Sequence, residues 1–145
     1  MTVQRILDSL ERVERNFIAP DASIREALSV LADKNVGALV VSSDGDTVEG
    51  ILSERDVVRG ITRDGDGLLD GPVRDLMTEK VVTCVATDSA ASIMAVMLSR
   101  YLRHMPIVDD GRFVGTLSIR DLLQLRLTEV ESEADAMRHY IEGSV

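Results

Sequence analysis

The feature that most constrains this chain is an internal repeat. Residues 50–56 read Gly-Ile-Leu-Ser-Glu-Arg-Asp and residues 115–121 read Gly-Thr-Leu-Ser-Ile-Arg-Asp, identical at five of seven positions at an offset of 65. Upstream, residues 35–41 align with 101–107 at an offset of 66, and a one-residue change in an intervening turn reconciles the two. Further back, Ile24, Ala27, Leu28 and Leu31 match Ala90, Ile93, Met94 and Met97. The lead-in residues Val3, Ile6 and Leu7 match Val73, Leu76 and Met77, with four extra residues in the first connection. A 145-residue chain made of two copies of one unit folds either as two small domains or as one body in which the copies cover each other.

Each unit has the same element order. A short lead-in helix runs into a short strand, around residues 17–19 or 82–85. A helix follows with apolar residues at i, i+3, i+4 and i+7. A β-branched strand (36–41 or 105–108), a glycine-containing turn (44–46 or 109–111) and a third strand (48–52 or 113–117) come next. The last helix opens at Ser53 or Ser118. The pattern is β-α-β-β-α, twice, in an α/β fold. Three strands and two helices cannot cover both faces of their sheet, whereas two copies set sheet to sheet, with helices outside, can. The boundaries expected are 2–62 for the first repeat, 63–72 for a breaker-rich linker, 73–127 for the second repeat and 128–145 for a helical tail.

Composition removes several functions. Sixteen Lys and Arg against 25 Asp and Glu give a net charge of −9, which disfavours non-specific binding to nucleic acid or anionic lipid. The four aromatic residues Phe17, Tyr101, Phe113 and Tyr140 are too few and scattered for a base-stacking platform. Cys84 alone allows no internal disulfide and no multi-cysteine zinc site. No apolar run reaches the length of a membrane span, and no signal-peptide stretch opens the chain. A cytoplasmic protein is expected.

The two Gly-x-x-Ser-x-x-Asp stretches, duplicated in register, and the strand Arg103-His104-Met105-Pro106-Ile107-Val108 resemble the tandem CBS domain pair, the module named after cystathionine β-synthase. The resemblance covers roughly residues 2–127. It implies a regulatory module that binds an adenine nucleotide or adenosyl compound (AMP, ATP, NAD or similar) in clefts between the repeats, with no chemistry of its own. Only about 18 residues follow the second repeat, so the chain looks like a stand-alone pair. The resemblance also implies a homodimer, four repeats in a flat disc, and allows a protein effector in trans.

The Ser-x-x-Asp motifs have two compatible readings. One is a capping box at a helix start, Ser53 with Asp56 and Ser118 with Asp121. The other uses the same geometry for ligand binding. A helix N-terminus suits phosphate, and a first-turn carboxylate can accept hydrogen bonds from two ribose hydroxyls. The resemblance implies that Asp56 and Asp121 hold ribose while Ser53 and Ser118 touch phosphate. It also sets Arg103 and His104, at the start of a strand, against the nucleotide. Their counterparts in the first repeat are Gly37 and Ala38, which bring no charge. The two clefts are therefore expected to differ, with Ser118, Asp121 and Arg103 forming the better one. Arg55 and Arg120, at the second helix position, either reach phosphate or stay solvated.

Other features carry less. Residues 65–71 are glycine-rich but follow no strand and bear aspartates that would repel phosphate. Asp64-Gly65-Asp66 has Leu69 where a calcium loop needs glycine. Cys84 reads as a small core residue. His104 and His139 are too isolated for a metal site, so no catalytic cofactor is expected, and no nucleophile sits with a base. In the tail, Val130, Ala134, Met137 and Ile141 make one apolar stripe on an acidic helix, for its own domain or for a second subunit. The alternative to a nucleotide sensor is a structural dimerisation module with empty clefts; an enzyme ranks third.

Overall fold

The computed structural model describes residues 1–9 and 14–143. Residues 10–13 of the expected first repeat, and Ser144 and Val145 of the expected tail, lie outside the described residues. The elements are α1 (Val3–Ser9), β1 (Phe17–Ile18), α2 (Ile24–Lys34), β2 (Ala38–Val41), β3 (Gly50–Ser53), α3 (Glu54–Asp64), α4 (Ala90–Ser99), β4 (His104–Asp109), β5 (Arg112–Ser118) and α5 (Ile119–Gly143). Two short 3₁₀ turns, Asp66–Asp70 and Val73–Asp75, connect the repeats.

In the first repeat β2 is central, parallel to β1 and antiparallel to β3. The second repeat keeps the antiparallel pair β4–β5, but the strand expected at 82–85 shrinks to one parallel bridge between Cys84 and Ile107. The cause is a single residue. In the first repeat Val40 N–H donates to Asn16 O and Ser42 N–H to Ile18 O. In the second, Val108 N–H donates to Cys84 O, but the position matching Val40 is Pro106, which has no N–H to give. The ladder loses its second rung. The β4–β5 connection is a two-residue hairpin with Asp110 at φ 49° and Gly111 at φ 75°, a type I′ geometry that matches the twist of its strands.

Each repeat has its own apolar core, but the repeats exchange their lead-ins. Val3 and Ile6 of α1 are fully buried with Met97, Met105, Ile107, Leu117 and Leu122 of the second repeat. Val73, with Leu76 and Met77 beside it, fills the core built from Ile24, Leu31, Leu39 and Leu52 of the first. Backbone bonds fix the exchange. Val3 N–H reaches Asp88 O, and Ala90 N–H reaches Met1 O, while Val73 N–H reaches Ala22 O and Ile24 N–H reaches Gly71 O. Repeats adjacent in sequence are thus interlocked in space. Thr78 then pairs with Ile51 on the free edge of β3, carrying the chain along the junction between the repeats.

The last helix of the second repeat and the tail are one element, and α5 runs 25 residues without a break at 127–128. Its first turns dock through Leu122, with Leu125 beside it. Val130, Ala134 and Met137 are exposed, so the tail's apolar stripe does not face its own domain.

Candidate functional site

Two clefts lie at the junction, built by the same rule from opposite halves. Each takes the helix start of one repeat, the lead-in of the other, and the start of a central strand. The wider, about 650 Å³, is lined by Ser118, Arg120 and Asp121 from β5 and α5, by Glu14 and Asn16 ahead of β1, by residues 35–38, and by Thr116 and His104. The narrower, about 160 Å³, is lined by Ser53, Glu54 and Arg55 at the start of α3, by residues 80–82 with Thr78, by Gly37, Ala38 and Ile51, and by residues 102–104 and Pro106. The wider cleft has the size of an ordinary small-molecule site.

The two helix starts differ. Ser53 Oγ accepts from Asp56 N–H at 3.2 Å, and Asp56 Oδ2 accepts from Ser53 N–H at 2.9 Å, a complete capping box. Asp56 is thereby committed to its own helix and lines neither cleft. Ser118 Oγ accepts from Asp121 N–H at 3.0 Å, but among the described residues no return bond reaches the Asp121 carboxylate. That carboxylate faces the wider cleft with its acceptor positions open.

Gly37, Ala38 and His104 border both clefts. A methyl group placed on Gly37 would lie 2.8 Å from His104 Cε1, so the missing side chain is what admits the imidazole. Burial lowers the His104 pKa below its ordinary 6.5; Glu54 opposes this, Arg103 adds to it, and Asp121 opposes it. The ring is therefore neutral at pH 7, one nitrogen a donor and the other an acceptor.

The grouping expected from sequence needs one correction. Ser118, Arg120, Asp121, His104, Gly37 and Ala38 come together, but Arg103 does not join them. It lines the narrower cleft with Ser53 and Arg55. His104 borders both clefts, whereas Arg103, just ahead of β4, lines the narrower one and not the wider. The narrower cleft thus carries Arg55, Lys80 and Arg103 against Glu54, a cationic wall, and the wider carries Arg120 against Glu14 and Asp121. Arg55 is partly committed, donating to Tyr101 O at 3.3 Å. Sequence reasoning did not find the walls supplied by Glu14, Asn16 and Lys80. Their signal was the alignment of the two lead-ins, whose exchange between repeats no local pattern reveals.

Two interlocked α/β repeats with a cleft at each helix start define a tandem-repeat module with paired clefts at its junction. The sequence matches the CBS domain family over residues 13–63 and again over 73–128, and the chain belongs to that family as a tandem CBS pair. It is 32% identical over 127 residues to the mitochondrial CBS domain-containing protein CBSX3 of Arabidopsis thaliana, covering 85% of this chain and 62% of that protein's length. Among solved structures it resembles the CBS-domain protein ATU1752 of Agrobacterium tumefaciens, with a TM-score of 0.82 and 32% identity over 87% of this chain and 99% of that one. It also resembles the CBS domain protein PAE2072 of Pyrobaculum aerophilum complexed with AMP, with a TM-score of 0.71 and 29% identity over 83% and 89% of the two chains. Among the described residues no helix is long and apolar enough to cross a membrane, and no cluster of metal-ligating side chains occurs.

Proposed function

We propose that this protein is a regulatory module that binds an adenine nucleotide or adenosyl compound at the junction of its repeats, without catalysing a reaction, and signals through conformation or partner binding. The observation that carries this reading is the Asp121 carboxylate, left open at the start of α5 and facing a cleft of about 650 Å³. A carboxylate so placed accepts both ribose hydroxyls, while Ser118, the N–H groups of the first turn and Arg120 meet a phosphate. The AMP carried by the Pyrobaculum relative is of this chemical class. The three cations of the narrower cleft suit a second phosphate-bearing group, with Arg103 its strongest anchor. We further propose that the protein works as a homodimer in the cytoplasm and acts on a protein effector rather than on nucleic acid or membrane.

Thermal shift with AMP, ADP, ATP, NAD and S-adenosylmethionine tests the reading. A ligand at about 100 times its dissociation constant adds roughly 2.7 kcal/mol, or about 5–10 °C for a chain of this size. At least one compound should reach several degrees, and Asp121→Ala should remove most of that shift. No shift with any adenine compound would leave a structural module with empty clefts as the better account.

A further inference from the structure

The exposed side of α5 repeats with a coiled-coil period. Leu123, Leu127, Val130, Ala134 and Met137 follow one another at alternating steps of four and three, and Ile141 occupies the next position of the series. Leu123, Leu127, Val130 and Met137 are between 46% and 61% exposed, too much apolar surface to be explained by contacts within the chain. Assigned to heptads, Leu127, Ala134 and Ile141 are a positions and Leu123, Val130 and Met137 are d positions. Leu122, Leu125 and Glu129, which face the chain's own domain, then fall at c and f. The domain thus sits on the outer side of the helix and leaves the seam clear for a second helix.

We propose that α5 pairs with α5 of a second copy of this chain as a short parallel coiled coil running from Leu123 to Ile141. The flanking charges choose both the partner and its direction. In the parallel arrangement Arg126, at g, faces Glu131 of the second copy at e, and Glu133, at g, faces Arg138 of the second copy at e. Both pairs are attractive. In the antiparallel arrangement with the same apolar layers, Glu131 would face Glu131 and Glu133 would face Glu133, both repulsive. In the single chain Arg126 pairs instead with Glu129 at 2.8 Å and Arg138 with Asp135 at 3.8 Å, exposed contacts within the helix that weigh little against repairing across a seam. The seam is about 27 Å long. The helix that carries it begins at Ser118 and Asp121, so a ligand that shifts the first turn of α5 shifts the seam. The dimer itself does not depend on the ligand reading.

Sedimentation equilibrium and light scattering of the full chain test the pairing. The expected mass is twice 15.9 kDa at micromolar concentrations. Val130→Glu should raise the dimer dissociation constant about tenfold or more, a loss of at least ~1.4 kcal/mol, with the circular dichroism of the domain kept. Glu131→Arg should weaken the dimer, and Arg126→Glu added to it should restore it. Oxidation should cross-link Met137→Cys, whose thiols meet only in the parallel seam, but not Ser132→Cys on the outer face. A monomer at all concentrations, a dimer indifferent to Val130→Glu, or a failure of Met137→Cys to cross-link would each overturn the proposal.

Discussion

Asp56 and Asp121 occupy equivalent positions in the two repeats and do different work. Asp56 closes a capping box, so Asp56→Ala should lower stability by about 0.5–2 kcal/mol and leave the ligand-induced melting shift nearly unchanged. Asp121→Ala should do the reverse, and a larger loss of ligand shift from Asp56→Ala would refute this division. His104 makes stability depend on pH. Its folded pKa lies below the ordinary 6.5, chiefly through burial, so the unfolded chain takes up a proton first as the solution is acidified. The stability it contributes is complete above pH 6.5 and is lost as pH falls through the folded value. Melting temperatures measured from pH 7 down to 5 should therefore decline, and His104→Gln should flatten that part of the curve. Cys84 behaves in the opposite sense: burial pushes its thiol up to about 12, so it stays protonated and should react slowly with thiol reagents in the folded protein.

Among the elements, the contrast between the two lead-in strands rests on Pro106. Without its N–H the segment 82–85 keeps one bridge, where the first repeat makes a two-residue strand. Pro106→Val supplies the missing donor opposite Val82, and hydrogen exchange should show a new protected amide at position 106 and slower exchange at Cys84. An unprotected amide there would mean that something other than the missing donor limits the strand. The periodicity of the remaining elements was plain in the sequence. The positions of α2 and α4 follow from apolar residues at helical spacing, and the hairpin after β4 from Asp110-Gly111. The join between the second repeat's last helix and the tail was not plain, because nothing at 127–128 either breaks or requires a helix. Continuous i to i+4 bonding decides it.

At the scale of the whole molecule, the exchanged lead-ins make the two repeats one cooperative unit. Ile6 is fully buried in the core of the second repeat, far along the chain from its own. Ile6→Ala should cost about 2–5 kcal/mol, and the protein should still unfold in a single transition when followed by circular dichroism and by calorimetry. Two separate transitions would mean that the exchange does not couple the halves.

The sequence alone determined the duplication, the element order, the α/β class and the residues that open each last helix, because those are set by local periodicity, turn chemistry and capping. It also placed Ser118, Arg120, Asp121 and His104 among the residues to watch. Only the tertiary structure decided which of them share a cleft. Arg103 and His104 are neighbours in the chain, yet Arg103 lines the cleft of Ser53 and Arg55 and not the wider one, while His104 borders both. The walls opposite the two helix starts, Glu14 with Asn16 facing Ser118 and Asp121, and Lys80 with Val82 sharing a cleft with Ser53 and Arg55, come in each case from the other repeat, which the exchange of lead-ins locks alongside. That exchange is a long-range choice of which core buries Val3 and Ile6, and an apolar pattern states that a side chain must be buried without stating against what.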